Sequence, residues 1–251
     1  MSLKRRIGGA FGAASAYDEA AHIQRETALR LARRIAALPL PAEPRILEIG
    51  CGTGFLSHAL QRHGVDGQWL LTDLAPQMVV RCRDRMGRRE GVRYLAMDGE
   101  EPPFAAGVRF DLICSSLAFQ WFDDLPLAVN RLAALLAPGG HLAFATLGQG
   151  SFSEWQRVYH GGHAPGYPSP ETLMAMAPAG LEVSVDSFKL FQPFTSTLQF
   201  LHQLRAIGAH VRPDGARPLP PGAMRRAMRA FEAQGPVARY HIACCTFSRG
   251  A

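Results

Sequence analysis

Ten residues, Arg45-Ile46-Leu47-Glu48-Ile49-Gly50-Cys51-Gly52-Thr53-Gly54, constrain this chain more than any other stretch. A short apolar run enters a G-x-G-x-G turn, and Phe55, Leu56, Ala59 and Leu60 then recur at helical spacing. That order reads as a buried strand, a tight loop and a helix. Side chains in place of the glycines would block a ligand's approach to the backbone or forbid the φ angles of the turn. The helix that follows offers unpaired N–H groups in its first turn. Asp73 closes a second apolar run, Trp69-Leu70-Leu71-Thr72, nineteen residues beyond Gly54. An acid at the tip of the second strand is where a doubly wound α/β fold holds ribose hydroxyls. The pattern points to a ligand that contains a nucleoside.

The spacing argues against two common nucleotides. A dinucleotide loop wants G-x-G-x-x-G, and Phe55 stands where its third glycine belongs. The Gly-Lys-Ser/Thr ending of a phosphate-cradling loop is absent. Further along, Val92 to Met97 reads as a third strand with Asp98-Gly99-Glu100 at its tip, where a carboxylate can accept from an adenine amino group. Phe110 to Ser115 reads as a fourth, followed by Ser116-Leu117-Ala118-Phe119-Gln120-Trp121 at the edge where open α/β sheets bind ligands. The pattern then predicts a helix over Leu125–Ala137, stopped by Pro138-Gly139-Gly140, and a fifth strand over His141–Thr146. Leu181–Phe191 and Tyr240–Phe247 supply two more strands, with short helices predicted over Ser151–Tyr159 and Glu171–Met176.

An N-terminal helix is expected over 13–38, ended by Pro39. Residues 195–234 exceed what a hairpin needs and hold two helical patterns, Leu198–Ile207 and Ala223–Gln234. The second is amphipathic, with Met224, Ala227, Met228 and Phe231 on one side and Arg225, Arg226 and Arg229 off it. Such an insertion serves either as a lid over the ligand edge or as a plain cap on the sheet.

At 251 residues, 47% hydrophobic and 19% charged, the chain is expected to fold as one globular domain. No apolar run approaches the ~20 residues of a membrane span. The basic start, Met1 to Arg6, has no apolar core behind it. Five cysteines, none in C-x-x-C spacing, suit neither a disulfide framework nor a zinc site, so a reduced, cytoplasmic, metal-free protein is expected. A net charge of +6 favours acidic partners, although arginine-rich coding bias gives the same count. No interleaving of basic and aromatic residues points to nucleic acid.

The glycine loop with Glu48, Asp73 and Asp98, and the helix, Pro-Gly-Gly and strand order, resemble the class I S-adenosylmethionine (SAM)-dependent methyltransferases. The likeness narrows over nearly the whole chain. Phe11-Gly12, Tyr17 and Ile23-Gln24-Arg25, the loop from Ser116 to Trp121, Thr146-Leu147-Gly148-Gln149-Gly150-Ser151 and Leu204-Arg205-Ala206-Ile207-Gly208-Ala209-His210 together are similar to the malonyl-[acyl-carrier-protein] O-methyltransferases of biotin synthesis. The Tyr240-His241 pair near the end is similar too, while Cys244-Cys245 depart from the family's bulky aliphatic residues.

The resemblance implies a Rossmann-like α/β fold: a seven-stranded sheet, mostly parallel with one antiparallel strand, helices on both faces and a helical lid before the last strand. It implies SAM as methyl donor, with S-adenosylhomocysteine as product. Gln24, Glu48, Gly50, Cys51, Gly52, Asp73, Leu74, Asp98, Gly99, Ser116 and Leu117 are expected to hold the donor. Tyr17 is expected to orient the acceptor carboxylate, unless it is simply a buried aromatic. Gln120 and Trp121 are candidates for the acceptor pocket, Trp121 also for the core. Arg205, with Arg225, Arg226 and Arg229 behind it, is expected to meet an acyl carrier protein bearing a malonyl group, the enzyme acting as a monomer. A small acid or a quinone precursor is the competing acceptor.

Overall fold

The computed structural model describes residues 21–87, 89–159, 166–206 and 220–250. Tyr17, with Phe11 and Gly12, lies outside them, as does the side chain of Arg205. Seven strands form one sheet in the order β3-β2-β1-β4-β5-β7-β6. They are β1 (Arg45–Ile49), β2 (Gln68–Asp73), β3 (Val92–Ala96), β4 (Phe110–Ser116), β5 (Leu136–Leu147), β6 (Leu181–Pro193) and β7 (Val237–Arg249). The first five run parallel, and β7 runs antiparallel to both β5 and β6. The class I methyltransferase sheet expected from the sequence is therefore present.

Alternation along the strands divides the core. Ile46, Leu112, Cys114, Ala143 and Ala145 face α1 (His22–Ile35), α2 (Phe55–Arg62) and α3 (Pro76–Met86). Leu47, Ile113, Leu142 and Phe144 face the other way, toward Val129, Leu132 and Ala133 of α4 (Leu125–Ala134). Each fully buried Leu or Phe here contributes roughly 1.5–3 kcal/mol by leaving water. A one-residue slip would exchange the two faces. Two short helices, α5 (Ser153–Val158) and α6 (Pro170–Ala175), follow β5. Between β6 and β7 lie α7 (Thr197–Ala206) and α8 (Pro221–Ala233), on the same face as α1. Phe200 of α7 and Phe231 of α8 are buried with ring centroids 5.3 Å apart.

Two sequence expectations need correction. The N-terminal helix ends at Ile35, short of Leu38, because the Ala37 and Leu38 N–H groups tighten onto the Arg34 and Ile35 carbonyls. Likewise α4 stops at Ala134, and Pro138-Gly139-Gly140 belong to β5, not to a helix stop. Here Leu136 pairs with Phe110 before the register shifts, and Gly139 donates to the Gly250 carbonyl at 3.0 Å. A Cβ at Gly140 would lie 3.0 Å from the Phe110 carbonyl, so only glycine lets the strand approach this closely.

Candidate active site

Strands β1, β2 and β4 end along one edge, and the loops that leave them meet there. After Ile49 the chain turns through Gly50, Gly52 and Gly54 at φ of 69°, 52° and 87°, left-handed values that glycine adopts without strain. A Cβ at Gly50 would collide with the Cβ of Ala118 in the loop after β4. One at Gly99 would collide with Ile49. The edge is thus packed with neighbouring side chains pressed onto glycine backbone, and glycine at both positions is a steric requirement.

Asp73 ties the edge together. Its Oδ2 accepts the Gly52 N–H at 2.9 Å and its Oδ1 accepts the Ala75 N–H at 2.8 Å. Burial raises its carboxyl above the usual range, while the Ala75, Gly52 and Leu74 N–H groups pull it back. Leu74 beside it is 38% exposed, an apolar side chain left on the surface of the cleft edge. Asp98 accepts the Glu100 N–H at 2.9 Å and so shapes the turn after β3.

Below the turn, Glu48 is buried and accepts from Ser57 Oγ at 2.6 Å. Burial pushes its carboxyl up to about 8, against the Ser57 bond, and nearby Asp73 adds to the rise. Thr72 Oγ1 donates to the Glu48 carbonyl at 2.7 Å, binding β2 to β1 under the loop. Cys51 is buried, and its contact with Cys82 together with desolvation raises its thiol well above the usual range. It is a packing residue with no nucleophilic character.

On the β4 side, Leu117 sits at φ 55°, unusual for a leucine, with its N–H on the Ala145 carbonyl at 2.8 Å. Gln120 Nε2 donates to the Leu117 carbonyl at 2.6 Å, and Thr146 Oγ1 donates to Gln120 Oε1 at 3.4 Å. Gln120 therefore holds the loop's shape. Trp121 is partly exposed, outside the core. Several polar atoms remain unspent: Gln24 Oε1, Ser115 Oγ and Ser116 Oγ are buried with no hydrogen-bond partner among the described residues. Such atoms carry a desolvation cost that a ligand can relieve.

Residues 47–144, which span this edge from β1 to β5, match the methyltransferase domain family. A malonyl-[acyl-carrier protein] O-methyltransferase of Magnetococcus marinus is 41% identical over 244 residues, covering 94% of this chain and 90% of that protein. The chain belongs to the malonyl-[acyl-carrier protein] O-methyltransferase family. It is, by that membership, a SAM-dependent methyltransferase. A biotin biosynthesis bifunctional protein of Bordetella avium is 45% identical over 239 residues. Those residues are 92% of this chain and 49% of that protein, so the chain spans about half its length. In fold, the chain is similar to a phosphoethanolamine N-methyltransferase of Haemonchus contortus, solved with S-adenosylhomocysteine, at a TM-score of 0.65 and 16% identity. That likeness covers 100% of this chain and 61% of the other.

Within this methyltransferase, sequence reasoning missed the supports of the site. Ser57, which holds Glu48, is an ordinary helix residue until the first turn of α2 brings it back over β1. In the sequence Phe55 marks only a helix start and a missing third glycine, yet the Arg25 and Arg85 guanidinium groups lie 5.3 and 4.5 Å from its ring centroid. That stack joins α1 and α3 through the first residue of α2, each contact contributing about 0.5–1 kcal/mol at an exposed site. No local signal in the sequence reveals it. Among the described residues no His/Cys/Asp/Glu group could hold a metal ion, and no helix is long and apolar enough to cross a membrane.

Proposed function

We propose that this enzyme methylates the free carboxylate of a malonyl thioester carried on an acyl carrier protein, as an early step of biotin synthesis. The observation that carries the reading is the 41% identity over 90% of a protein of that name. SAM, when bound, supplies a methyl group on a positively charged sulfur. The residues at the edge suit that ligand. Asp73 has acceptor capacity left for a ribose diol, Asp98 for an adenine amino group, and Gly50, Cys51, Gly52 and Gly99 give backbone access. Leu74 and Leu117 offer apolar contact, and the unspent Ser116 Oγ and Gln24 Oε1 offer polar contact. Glu48, buried under the turn, would face the donor's cationic end.

A carboxylate with a pKa near ~4 is already ionised at neutral pH, so no general base is required. The chain's work is to align the carboxylate oxygen with the methyl group and to exclude water, since charge is lost on the way to the transition state. Tyr17 would orient the acceptor, with Gln120 and Trp121 bordering its pocket.

The acidic carrier protein has a suitable face on α8. Arg225, Arg226 and Arg229 are exposed, and none has an ion-pair partner among the described residues. The helix's sole acid, Glu232, is occupied in accepting the Thr197 N–H at 2.9 Å. Arg205, on α7, would add to that field. Five buried, unpaired cysteines fit a reduced cytoplasmic setting. Mass spectrometry of malonyl carrier protein incubated with enzyme and SAM tests the reading. A gain of one methyl group supports it; an unmodified carrier protein beside a methylated free small acid refutes it.

A further inference from the structure

Two phenols on the acceptor side of the edge have nothing to bind. Tyr240 lies on β7, two residues before Ile242, which pairs with Leu147 at the end of β5. It therefore stands just past the carboxyl end of β5, on the face covered by α1 and α7. Tyr167 approaches from the segment before α6. Both rings pack on Phe152, Tyr240 at 4.8 Å and 70°, Tyr167 at 6.2 Å and 51°. Phe152 is itself held in a left-handed conformation, φ 57°, with its N–H donating to the Arg239 carbonyl at 2.7 Å. Trp155, Phe200 and Phe231 close the back of this aromatic box.

Tyr240 is 3% exposed and Tyr167 half-buried; neither hydroxyl bonds to a described residue, and neither is among the fully buried atoms left without a partner, so each oxygen keeps some accessible surface. A buried tyrosine normally finds a partner. Burial pushes both phenols well above their ordinary range, and Tyr167 adds a little to the rise at Tyr240. Both are therefore neutral O–H donors at any working pH. The guanidinium nearest in sequence, Arg239, pairs through Nη2 with Glu154 at 2.9 Å and lies over the Phe191 ring, while its buried Nε has no partner among the described residues.

We propose that Tyr167 and Tyr240 are the pair of O–H donors that receives the acceptor carboxylate. The inference rests on the carboxylate reading above and deepens it by naming what selects an acid. An anion enters an aromatic box only if hydrogen bonds replace its water. Bonds to an ionised oxygen are roughly twice as strong as neutral ones. Phenols supply them without the full opposing charge of an arginine, which would blunt the nucleophile. A carboxylate has about four lone-pair sites, so two donors leave others free to attack.

The test compares malonyl-pantetheine with acetyl-pantetheine, which lacks the carboxylate, by calorimetry on enzyme saturated with S-adenosylhomocysteine. Tyr167→Phe and Tyr240→Phe each remove one oxygen and keep the ring packing. Each variant should bind the malonyl thioester about ten- to a hundredfold more weakly and the acetyl thioester unchanged. Equal losses for both thioesters, or none for either, overturn the assignment. A wild-type enzyme that does not prefer malonyl to acetyl overturns the carboxylate reading itself, and this inference with it.

Discussion

Asp73 Oδ2 accepts the Gly52 N–H at 2.9 Å, so the acid at the tip of β2 holds the turn that leaves β1. The same carboxylate also holds Ala75. In Asp73→Ala both N–H groups lose their acceptor, and so would the ribose hydroxyls of a donor held as proposed. SAM affinity should fall by about 1.5–3 kcal/mol, the scale of bonds to a charged group. Calorimetry on the folded variant decides the matter. An unchanged dissociation constant would remove Asp73 from the donor site and leave it a loop fastener only.

Gly50 tests the steric requirement. Its φ of 69° and the Ala118 Cβ facing it leave no room for a methyl group. Gly50→Ala should cost about 1–3 kcal/mol of stability through strain and overpacking, read as a lower urea midpoint at unchanged slope. Because the displaced neighbour belongs to the 116–121 loop, SAM affinity should fall at least tenfold as well. A variant as stable and as tight as the wild type would show that the two loops do not press on each other.

These two residues show what was legible in the sequence. The glycine turn and the strand-tip acid stand in fixed chain order because local geometry demands them, and the structure brings them together at the strand ends. The resemblance implies seven strands with one antiparallel, but only the structure gives their order and identifies that strand as β7, since no periodicity reveals which strands are neighbours. The limits lay where tertiary contacts override local signals. Pro138-Gly139-Gly140 looks like a helix stop, yet pairing of Leu136 with Phe110 and of Gly139 with Gly250 draws it into β5. The same applies to Ser57 under Glu48, and to Tyr167 and Tyr240, which Phe152 brings together from distant segments.

Glu48 gives a pH prediction. An unfolded glutamate titrates near ~4.3, and in the folded chain burial lifts the group to about 8. Between those values the folded state holds a proton that the unfolded state has released. The contribution to stability is therefore full below about pH 4 and is lost as pH climbs toward about 8. Glu48→Gln keeps the shape and cannot ionise, so it should lack this slope. Relative to wild type, the variant should gain a few kcal/mol between about pH 5 and 8.5, followed by urea unfolding in the absence of SAM. Parallel stability curves for the two proteins would refute the assignment.

Carrier-protein recognition through α8 predicts salt dependence. Arg225→Glu with Arg229→Glu, two exposed and unpaired cations one turn apart, should raise KM for malonyl carrier protein sharply and leave KM for SAM alone, because like charges then meet. The wild-type enzyme should also lose affinity for the carrier as salt rises, the Debye length shrinking to roughly 3 Å at 1 M. Activity on malonyl-pantetheine should be insensitive to both changes. Equal activity on carrier-bound and free thioesters at all salt concentrations would favour a small-acid acceptor.

The mechanism itself is tested by the pH dependence of the chemical step. A carboxylate acceptor needs no base, so the single-turnover rate should stay flat from about pH 6 to 9. Single turnovers are required because slow product release flattens any steady-state profile. Glu48 titrates inside this window, and its effect should fall on SAM binding, so SAM must be saturating at every pH. Tyr17→Phe should lower the rate by roughly 5- to 150-fold, the loss of one bond worth about 1–3 kcal/mol to the ionised acceptor. It should do so equally at every pH, as expected of a residue that, under this proposal, orients the acceptor and takes no proton from it. A carbon or amine acceptor behaves otherwise, with a rising limb that reports the pKa of a base or of the acceptor, and a histidine-like base would titrate within the same window. A clear rise in the wild-type single-turnover rate between pH 6 and 9 would eliminate the carboxylate acceptor.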